Sequence, residues 1–149
     1  MTSKIEAPAV DATDTSESPH KGQRGLRRLF NALFYSLSGL RIAVNHESAF
    51  RQEIAIAVVL IPLACFVPVS AAERILLIGS VLLLLIVELL NSSVEAAIDR
   101  IGFDTHRLSK RAKDLGSAAV FLALLLLAVT WALIAGPTLV SLIRAAARA

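Results

Sequence analysis

Length, composition and charge restrict what this chain can be. Its 149 residues favour a single domain. A hydrophobic fraction of 56% and a mean hydropathy of +0.68 exceed what a water-soluble domain of this size shows. The net charge of +3 comes without interleaved aromatic residues, and the basic residues lie where membrane topology would place them. We therefore expect a membrane protein that binds no nucleic acid, and its single cysteine excludes an internal disulfide.

The N-terminal part of the chain divides into two stretches. Residues 1–20 contain Ser, Thr, Asp, Glu and Pro but no apolar run, so we predict a disordered tail without a cleavable signal peptide. From residue 21 to residue 149 we predict one membrane-embedded domain. Residues 21–44 repeat leucine and phenylalanine at spacings of three and four, with arginines among them. This pattern predicts an amphipathic helix over about 24–44 in the membrane interface, or alternatively a helix packed against the protein itself.

Three long apolar runs follow, and each predicts a transmembrane helix, at about 50–69, 75–98 and 117–142. The uncharged part of the first run begins only at Ile54 and covers about 24 Å, so this helix must begin earlier in order to cross a bilayer. Pro62 can kink this helix, and Gly136-Pro137 predicts a break in the third. The runs are too long for β-strands. The predicted fold is an all-α membrane protein with three transmembrane helices and an N-terminal amphipathic surface helix.

Lysine and arginine are unevenly distributed around these runs. Seven lie before Ile54 and five lie between Arg100 and Lys113, whereas only Arg74 separates the first two runs. By the positive-inside rule, the N-terminal region and the loop predicted over residues 99–114 are cytoplasmic. The turn between the first two runs and the C-terminus are then outside. Both basic regions consequently face the compartment that contains ATP.

The second run ends in a stripe of polar residues. Glu88, Asn91, Glu95 and Asp99 are spaced so that they share one face of a helix. Glu88 lies well within the apolar run, where an ionised carboxylate costs roughly 2.5–3.5 kcal/mol to insert. Such a residue is a functional candidate by default, although Asn and Glu can also serve only to hold helices together by hydrogen bonds. Several polar groups aimed in one direction favour a shared site.

Two further charged clusters flank the first and third runs on the same predicted side. One contains Glu47, Arg51 and Glu53, and the other contains His106, Lys110, Arg111, Lys113 and Asp114. Each cluster alone is ordinary flanking charge at a membrane surface. Together with the stripe, they supply carboxylates suited to Mg²⁺ and cations suited to phosphate, which a phosphoryl-transfer site requires. No GxxxxGK[ST] or GxGxxG motif is present, so any ATP site must be built from helix ends.

Three sequence blocks resemble one known family. NHESAFRQE, VELLNSSVEAAIDRIG and LSKRAKDLGSAAV are similar, in order and spacing, to the signature blocks of the prokaryotic integral-membrane diacylglycerol kinases, a family that also includes undecaprenol kinases. The resemblance extends from about Arg24 to Leu133. It implies a homotrimer with active sites shared between subunits, in the bacterial inner membrane with a cytoplasmic N-terminus. It also implies ATP- and Mg²⁺-dependent phosphorylation of diacylglycerol to phosphatidic acid at the cytoplasmic face.

The resemblance also implies roles for individual residues. Glu88 would be the general base, Glu47 and Glu95 would hold the Mg²⁺, and Asn91 would support this cluster. The residues that would contact the nucleotide are Arg28, Tyr35, Glu47, Glu95, His106, Lys113 and Asp114. The residues that would line the lipid site are Arg28, Ser36, Arg41, Phe50, Arg51, Gln52, Glu53, Glu88 and Ser117.

Three alternatives stay open on the sequence. Undecaprenol phosphorylation needs the same chemistry on a longer lipid tail. A small proton or ion conductor would use Glu88, Asn91 and Glu95 as a relay, but it would not explain the charges at the helix mouths. A structural scaffold predicts that Glu88→Gln is harmless or stabilising, because the substitution removes a buried charge.

Overall fold

The computed structural model describes residues 26–101 and 106–147, so the tail predicted over residues 1–20 lies outside the described residues. The described chain is helical and contains no β-strand within those two ranges. Its elements are α1 (Leu26–His46), α2 (Ser48–Phe66), α3 (Ala71–Ile101) and α4 (Arg107–Ala146). By length and composition, α2, α3 and α4 can each cross a membrane. The all-α class with three membrane-spanning helices is therefore confirmed.

The chain divides into two compact units within α1, one ending at Ser38 and the other beginning at Gly39. The described part of the first unit is helical, as predicted, and it exposes large apolar side chains, which include Leu29, Phe30, Leu33, Phe34 and Leu37. The rings of Phe34 and Tyr35 meet edge to face, with centroids 6.2 Å apart. An exposed apolar surface of this kind suits a membrane interface, and the location of this helix there stays a prediction.

In the second unit α3 packs against both α2 and α4. Ala64 of α2, Leu77 of α3 and Ala135 of α4 form one buried cluster. The indole Nε1 of Trp131 donates a hydrogen bond of 3.2 Å to the backbone oxygen of Leu77. The helices α2, α3 and α4 alternate in direction, since late residues of α2 and of α4 both contact the early part of α3. The start of α2, the end of α3 and the start of α4 therefore lie together, and we call this region the polar end.

Helix α2 spans 19 residues, or about 28 Å, and it begins six residues before Ile54, as its short apolar core required. It ends at Phe66 rather than near residue 69. Val67 precedes a proline and is extended (φ −65°, ψ 131°), because the proline ring disfavours helical geometry in the residue before it. Pro62 lies inside α2 without ending it.

Helix α3 begins at Ala71, four residues earlier than predicted, because a capping box starts it. The Ser70 N–H donates to Glu73 Oε2 at 2.8 Å, and the Glu73 N–H donates to Ser70 Oγ at 3.3 Å. These reciprocal bonds satisfy two backbone donors at a helix start. The helix then continues to Ile101, so that the whole polar stripe is helical.

Two predictions for α4 are wrong. The helix begins at Arg107 instead of Ser117. Most of the loop predicted over residues 99–114 is therefore helical. His106 caps the start of the helix, and its Nδ1 accepts a hydrogen bond of 3.2 Å from the Leu108 N–H. The helix also continues through Gly136-Pro137 to Ala146, where a break was predicted. An internal proline removes one helical hydrogen bond, and membrane helices tolerate that loss when neighbouring groups compensate.

Candidate active site

Two buried carboxylates lie at the polar end of the bundle. Glu88 on α3 is 4% exposed and Glu53 on α2 is 6% exposed. Their charges are close enough to interact. One carboxylate oxygen of Glu53, Oε2, is buried without a hydrogen-bond partner. Burying two neighbouring acids costs free energy of folding. Acids that are buried despite this cost are typical of a functional site.

Asn91 and Glu95 continue from Glu88 along the same helix. The Asn91 Nδ2 donates to Glu95 Oε1 at 3.2 Å, and both side chains are half-buried. The other atom of the amide group, Asn91 Oδ1, is buried and has no hydrogen-bond partner. Glu95 also lies near enough to Glu88 to interact electrostatically. The helix therefore presents three oxygen-bearing groups to one region.

Glu47 joins this cluster from the turn between α1 and α2. Its backbone is extended (φ −101°, ψ 112°) and occupies the N-cap position of α2, but its side chain makes no capping bond. The Glu47 N–H donates to the Ala43 oxygen at 2.8 Å, which holds the turn in place. The Glu47 carboxylate is half-buried and acts electrostatically on Glu88. The turn thus directs negative charge towards the stripe on α3.

Lys113 lies near the start of α4, at the same end of the bundle. Its Nζ lies 2.6 Å from Asp99 Oδ1, and the two side chains are 41% and 49% exposed. Lys113 also interacts electrostatically with Glu95. A cation thus lies beside the carboxylates of α3, in a position that solvent reaches.

The remaining predicted residues of the second unit make other contacts. Asp114 pairs with Lys110 on its own helix at 2.7 Å, and His106 caps α4. Arg51 donates through Nη1 to the backbone oxygens of Val44 and Asn45 at 3.2 and 3.4 Å, so it caps the end of α1. Phe50 is in the core, 1% exposed. Four of the predicted lipid-site residues in the second unit are exposed: Arg41, Arg51, Gln52 and Ser117.

Three predicted residues lie in the first unit, on the part of α1 before Gly39. Arg28 and Tyr35 are exposed. The hydroxyl of Ser36 donates to the Ala32 backbone oxygen at 2.9 Å. Their assignments to nucleotide and lipid stay predictions.

Two residues of the cluster were not assigned as site residues on the sequence. Asp99 was recognised as part of the stripe, and its spacing of eleven from Glu88 was the available signal. Its pairing with Lys113 depends on the antiparallel packing of α3 and α4, which the spacing does not specify. Gly116, opposite Asn91, gave no signal, because a glycine in an apolar helix has many structural explanations.

The donors fit a divalent cation that arrives with phosphates. Asn91 Oδ1 and the Glu95 carboxylate would supply oxygen donors to such an ion, and Asn91 Oδ1 lacks a protein partner. Within residues 26–101 and 106–147, no three His, Cys, Asp or Glu side chains converge on a metal position. Mg²⁺ commonly takes one or two carboxylates and fills its shell with water and substrate phosphates. Carboxylate and amide oxygens are donors of the kind that suit Mg²⁺.

A membrane bundle with buried acids at one end, and a cation paired with the last acid of the polar stripe, defines a multi-pass membrane protein with a polar site inside the bundle. Comparison with known proteins identifies its family. The family model described as prokaryotic diacylglycerol kinase matches residues 34–135. That range contains the buried acids, Lys113 and the whole polar stripe.

Individual relatives agree with this match. The diacylglycerol kinase of Pseudomonas aeruginosa is 56% identical over 119 residues, covering 80% of this chain and 97% of that protein. The diacylglycerol kinase of Escherichia coli K12 is 48% identical over 110 residues, covering 74% and 90%. That of Helicobacter pylori strain 26695 is 44% identical over 115 residues, covering 77% and 89%. The chain belongs to the prokaryotic diacylglycerol kinase family, and it is a membrane-spanning lipid kinase.

Proposed function

We propose that this enzyme transfers the γ-phosphoryl group of ATP to diacylglycerol, which yields phosphatidic acid and ADP. The observation that carries the proposal is the buried Glu88 beside Glu95 and Asn91, at the end of the bundle where Lys113 also lies. The relatives named above are diacylglycerol kinases, which supports diacylglycerol as the acceptor.

Glu88 acts as the general base in this proposal. The lipid hydroxyl oxygen forms a bond to the γ-phosphorus, and the bond from that phosphorus to the ADP oxygen breaks. The hydroxyl proton passes to the Glu88 carboxylate. A base for a membrane lipid must lie at the depth of the lipid headgroup, and Glu88 is deeper in its helix than the other acids of the stripe.

Glu95, Asn91 and Glu47 are the residues that would hold Mg²⁺ with the nucleotide. When bound, the ion offsets negative charge on the phosphate oxygens. Asn91 donates to Glu95 and thereby orients that carboxylate. Lys113 contacts the phosphates, and Asp99 holds it near them until the nucleotide binds. Most of the acceleration then comes from positioning and charge stabilisation.

The site faces the cytoplasm, and the protein acts as a homotrimer in the inner membrane with a cytoplasmic N-terminus. The bias of lysine and arginine towards the polar end supports this orientation. The site is completed by a neighbouring subunit and by substrate, as the family resemblance implies. His106, Asp114, Arg28 and Tyr35 remain assigned to the nucleotide.

The test is transfer of ³²P from ATP to lipid by the purified protein in mixed micelles. Diacylglycerol and undecaprenol are offered side by side, with and without Mg²⁺. The variants are Glu88→Gln and, as a matched control, Glu73→Gln. Glu73 is a carboxylate on the same helix at the opposite end of the bundle, where it caps α3. We expect Mg²⁺-dependent labelling of diacylglycerol that Glu88→Gln abolishes and Glu73→Gln retains.

Other outcomes separate the alternatives. Preferential labelling of undecaprenol would keep the mechanism and change the substrate. Full activity in Glu88→Gln would refute the base assignment. No labelling of either lipid by a folded sample would refute the kinase reaction and favour a conductor.

A further inference from the structure

Gly116 on α4 lies directly against the side chain of Asn91 on α3. A Cβ atom on Gly116 would collide with Asn91 Oδ1 and would lie 3.2 Å from Asn91 Cγ, and its three nearest atoms all belong to Asn91. The other described glycines differ. Gly39 and Gly79 have no atom within 4 Å of such a Cβ, and Gly136 has only a backbone oxygen at 4.0 Å. The space that a side chain at position 116 would fill is therefore occupied by one residue, Asn91.

The hydrogen bond to Glu95 determines how the Asn91 amide is turned. Nδ2 donates to Glu95 Oε1, which leaves Oδ1 towards Gly116, buried and without a partner. The reversed amide would place two acceptor oxygens against each other. The observed orientation thus keeps an amide oxygen without a protein partner within one helical turn of the Glu95 carboxylate.

A methyl group at position 116 would not be accommodated by a small adjustment. A 180° flip of the amide exchanges oxygen for nitrogen at the same place, so the collision persists, whereas the 3.2 Å distance to Cγ requires a shift of only a few tenths of an ångström. The Asn91 amide would have to turn to an intermediate χ2 angle, or the side chain would have to adopt another χ1 rotamer. Either change would move Nδ2 away from Glu95 and break the bond between them.

We propose that Gly116 is a positioning residue. It leaves space for Asn91 to bond Glu95, and the amide oxygen of Asn91 is then left without a protein partner and can serve the nucleotide-borne cation. The cation part of this inference rests on the proposed function, and the orientation of Asn91 does not. Gly116 touches neither substrate nor cation in this account. Its effect passes entirely through Asn91.

The first test observes Asn91 directly, without any reaction. The chain contains three asparagines, Asn31, Asn45 and Asn91, so protein labelled with [¹⁵N-amide]asparagine gives three side-chain NH₂ signals. Asn91→Ala identifies the signal of Asn91. We expect Gly116→Ala to move that signal and leave the other two in place. Gly79→Ala, which also replaces a helical glycine but meets no neighbouring atom, should move none of them.

The second test measures cation affinity with Mn²⁺ as the probe, by electron paramagnetic resonance in the presence of a non-hydrolysable ATP analogue. We expect Gly116→Ala to weaken Mn²⁺ binding about tenfold or more, as for other residues that orient a ligand. In the Asn91→Ala background the same substitution should have no further effect. An equal loss in both backgrounds would show that Gly116 does not act through Asn91.

The outcomes are distinguishable from a failure of the proposed function. An Asn91 signal that stays in place in Gly116→Ala overturns the inference, whatever lipid is phosphorylated. No Mn²⁺ binding by the wild-type protein overturns the cation part. If Gly116→Ala fails to fold, Gly116→Ala/Asn91→Ala decides: recovery of folding supports the collision with Asn91, and continued misfolding means that Gly116 serves helix packing alone.

Discussion

Glu53 and Glu88 are two buried acids on facing helices, and their carboxylates are near enough to interact. Glu53 carries an oxygen without a partner, whereas the acids nearer the helix ends are less buried. Each buried acid would be expensive in a purely structural core, where an apolar residue packs better. Two buried acids beside each other are typical of a site that uses at least one of them for chemistry. The proposed reaction assigns that use to Glu88.

Lys113 and Lys110 offer a matched comparison, because both lie on α4 and both pair with an aspartate. Lys113 reaches across to Asp99 on α3, whereas Lys110 pairs with Asp114 one turn along its own helix. Both pairs are solvent-exposed, so each contributes little to stability. We expect Lys113→Met to lower kcat/KM for Mg·ATP about tenfold or more, since a charge-assisted bond to phosphate is lost.

Lys110→Met should change the same parameter by less than about threefold, because its charge faces solvent rather than α3. Steady-state kinetics at varied Mg·ATP and saturating diacylglycerol measure both effects. Thermal unfolding should show the two variants to be similarly folded. Equal losses in both variants would mean that the general charge of this helix end, and not the position of Lys113, matters for the nucleotide.

Among the elements, the sequence predicted helix positions well and helix ends poorly. Hydropathy is a property of long runs, so the cores of α2, α3 and α4 were all recognised. The ends depend on single contacts that periodicity does not contain, such as the Ser70–Glu73 capping box and the His106 cap. Charged residues at the start of α4 were assigned to a loop, although a helix readily carries such residues into the interface.

The site was predictable to the extent that it lies on one element. The stripe on α3 follows from helical spacing alone. The contacts between helices, such as Lys113 with Asp99 and Gly116 with Asn91, require the register of α3 against α4. The remaining members were predicted from the family resemblance. Two of them, Arg51 and His106, make local structural contacts that helical spacing does not predict.

Away from the polar end, α3 and α4 are joined by the bond from the Trp131 indole to the Leu77 oxygen. That oxygen also accepts the Ser80 hydroxyl at 2.9 Å, so it keeps a partner when the indole is removed. Trp131→Phe should therefore destabilise the protein by only about 0.5–1.5 kcal/mol, near the usual value for one hydrogen bond. Reversible unfolding in mixed micelles, followed by circular dichroism, measures the change.

Activity serves as the control for Trp131→Phe, because Leu77, the residue that the indole contacts, lies far from Glu88 along α3. Transfer to diacylglycerol at a temperature well below unfolding should stay within about twofold of wild type, since no group of the proposed chemistry is altered. A loss of several kcal/mol would indicate that the indole packs against something more than the small buried cluster around Leu77.

At the scale of the whole molecule, the charge bias and the antiparallel bundle together predict one orientation in the membrane. Ala49 and Ala72 form a matched pair, because both are exposed residues in the first turn of a helix, at opposite ends of the bundle. In a Cys65→Ala background, each is replaced by cysteine and treated with a membrane-impermeant maleimide in spheroplasts. We expect Ala72→Cys to be labelled in intact spheroplasts and Ala49→Cys only after lysis.

This orientation decides whether the enzyme can work as proposed, because ATP is available on the cytoplasmic side alone. The polar end contains Glu88 and Lys113, and it lies at the same end of the bundle as Ala49. The cysteine-free variant must remain unlabelled, and both single-cysteine variants must retain kinase activity, so that the labelled molecules are the active ones. Labelling of Ala49→Cys from outside would place the buried acids away from the nucleotide. The positive-inside assignment and the proposed phosphoryl donor could not then both be correct.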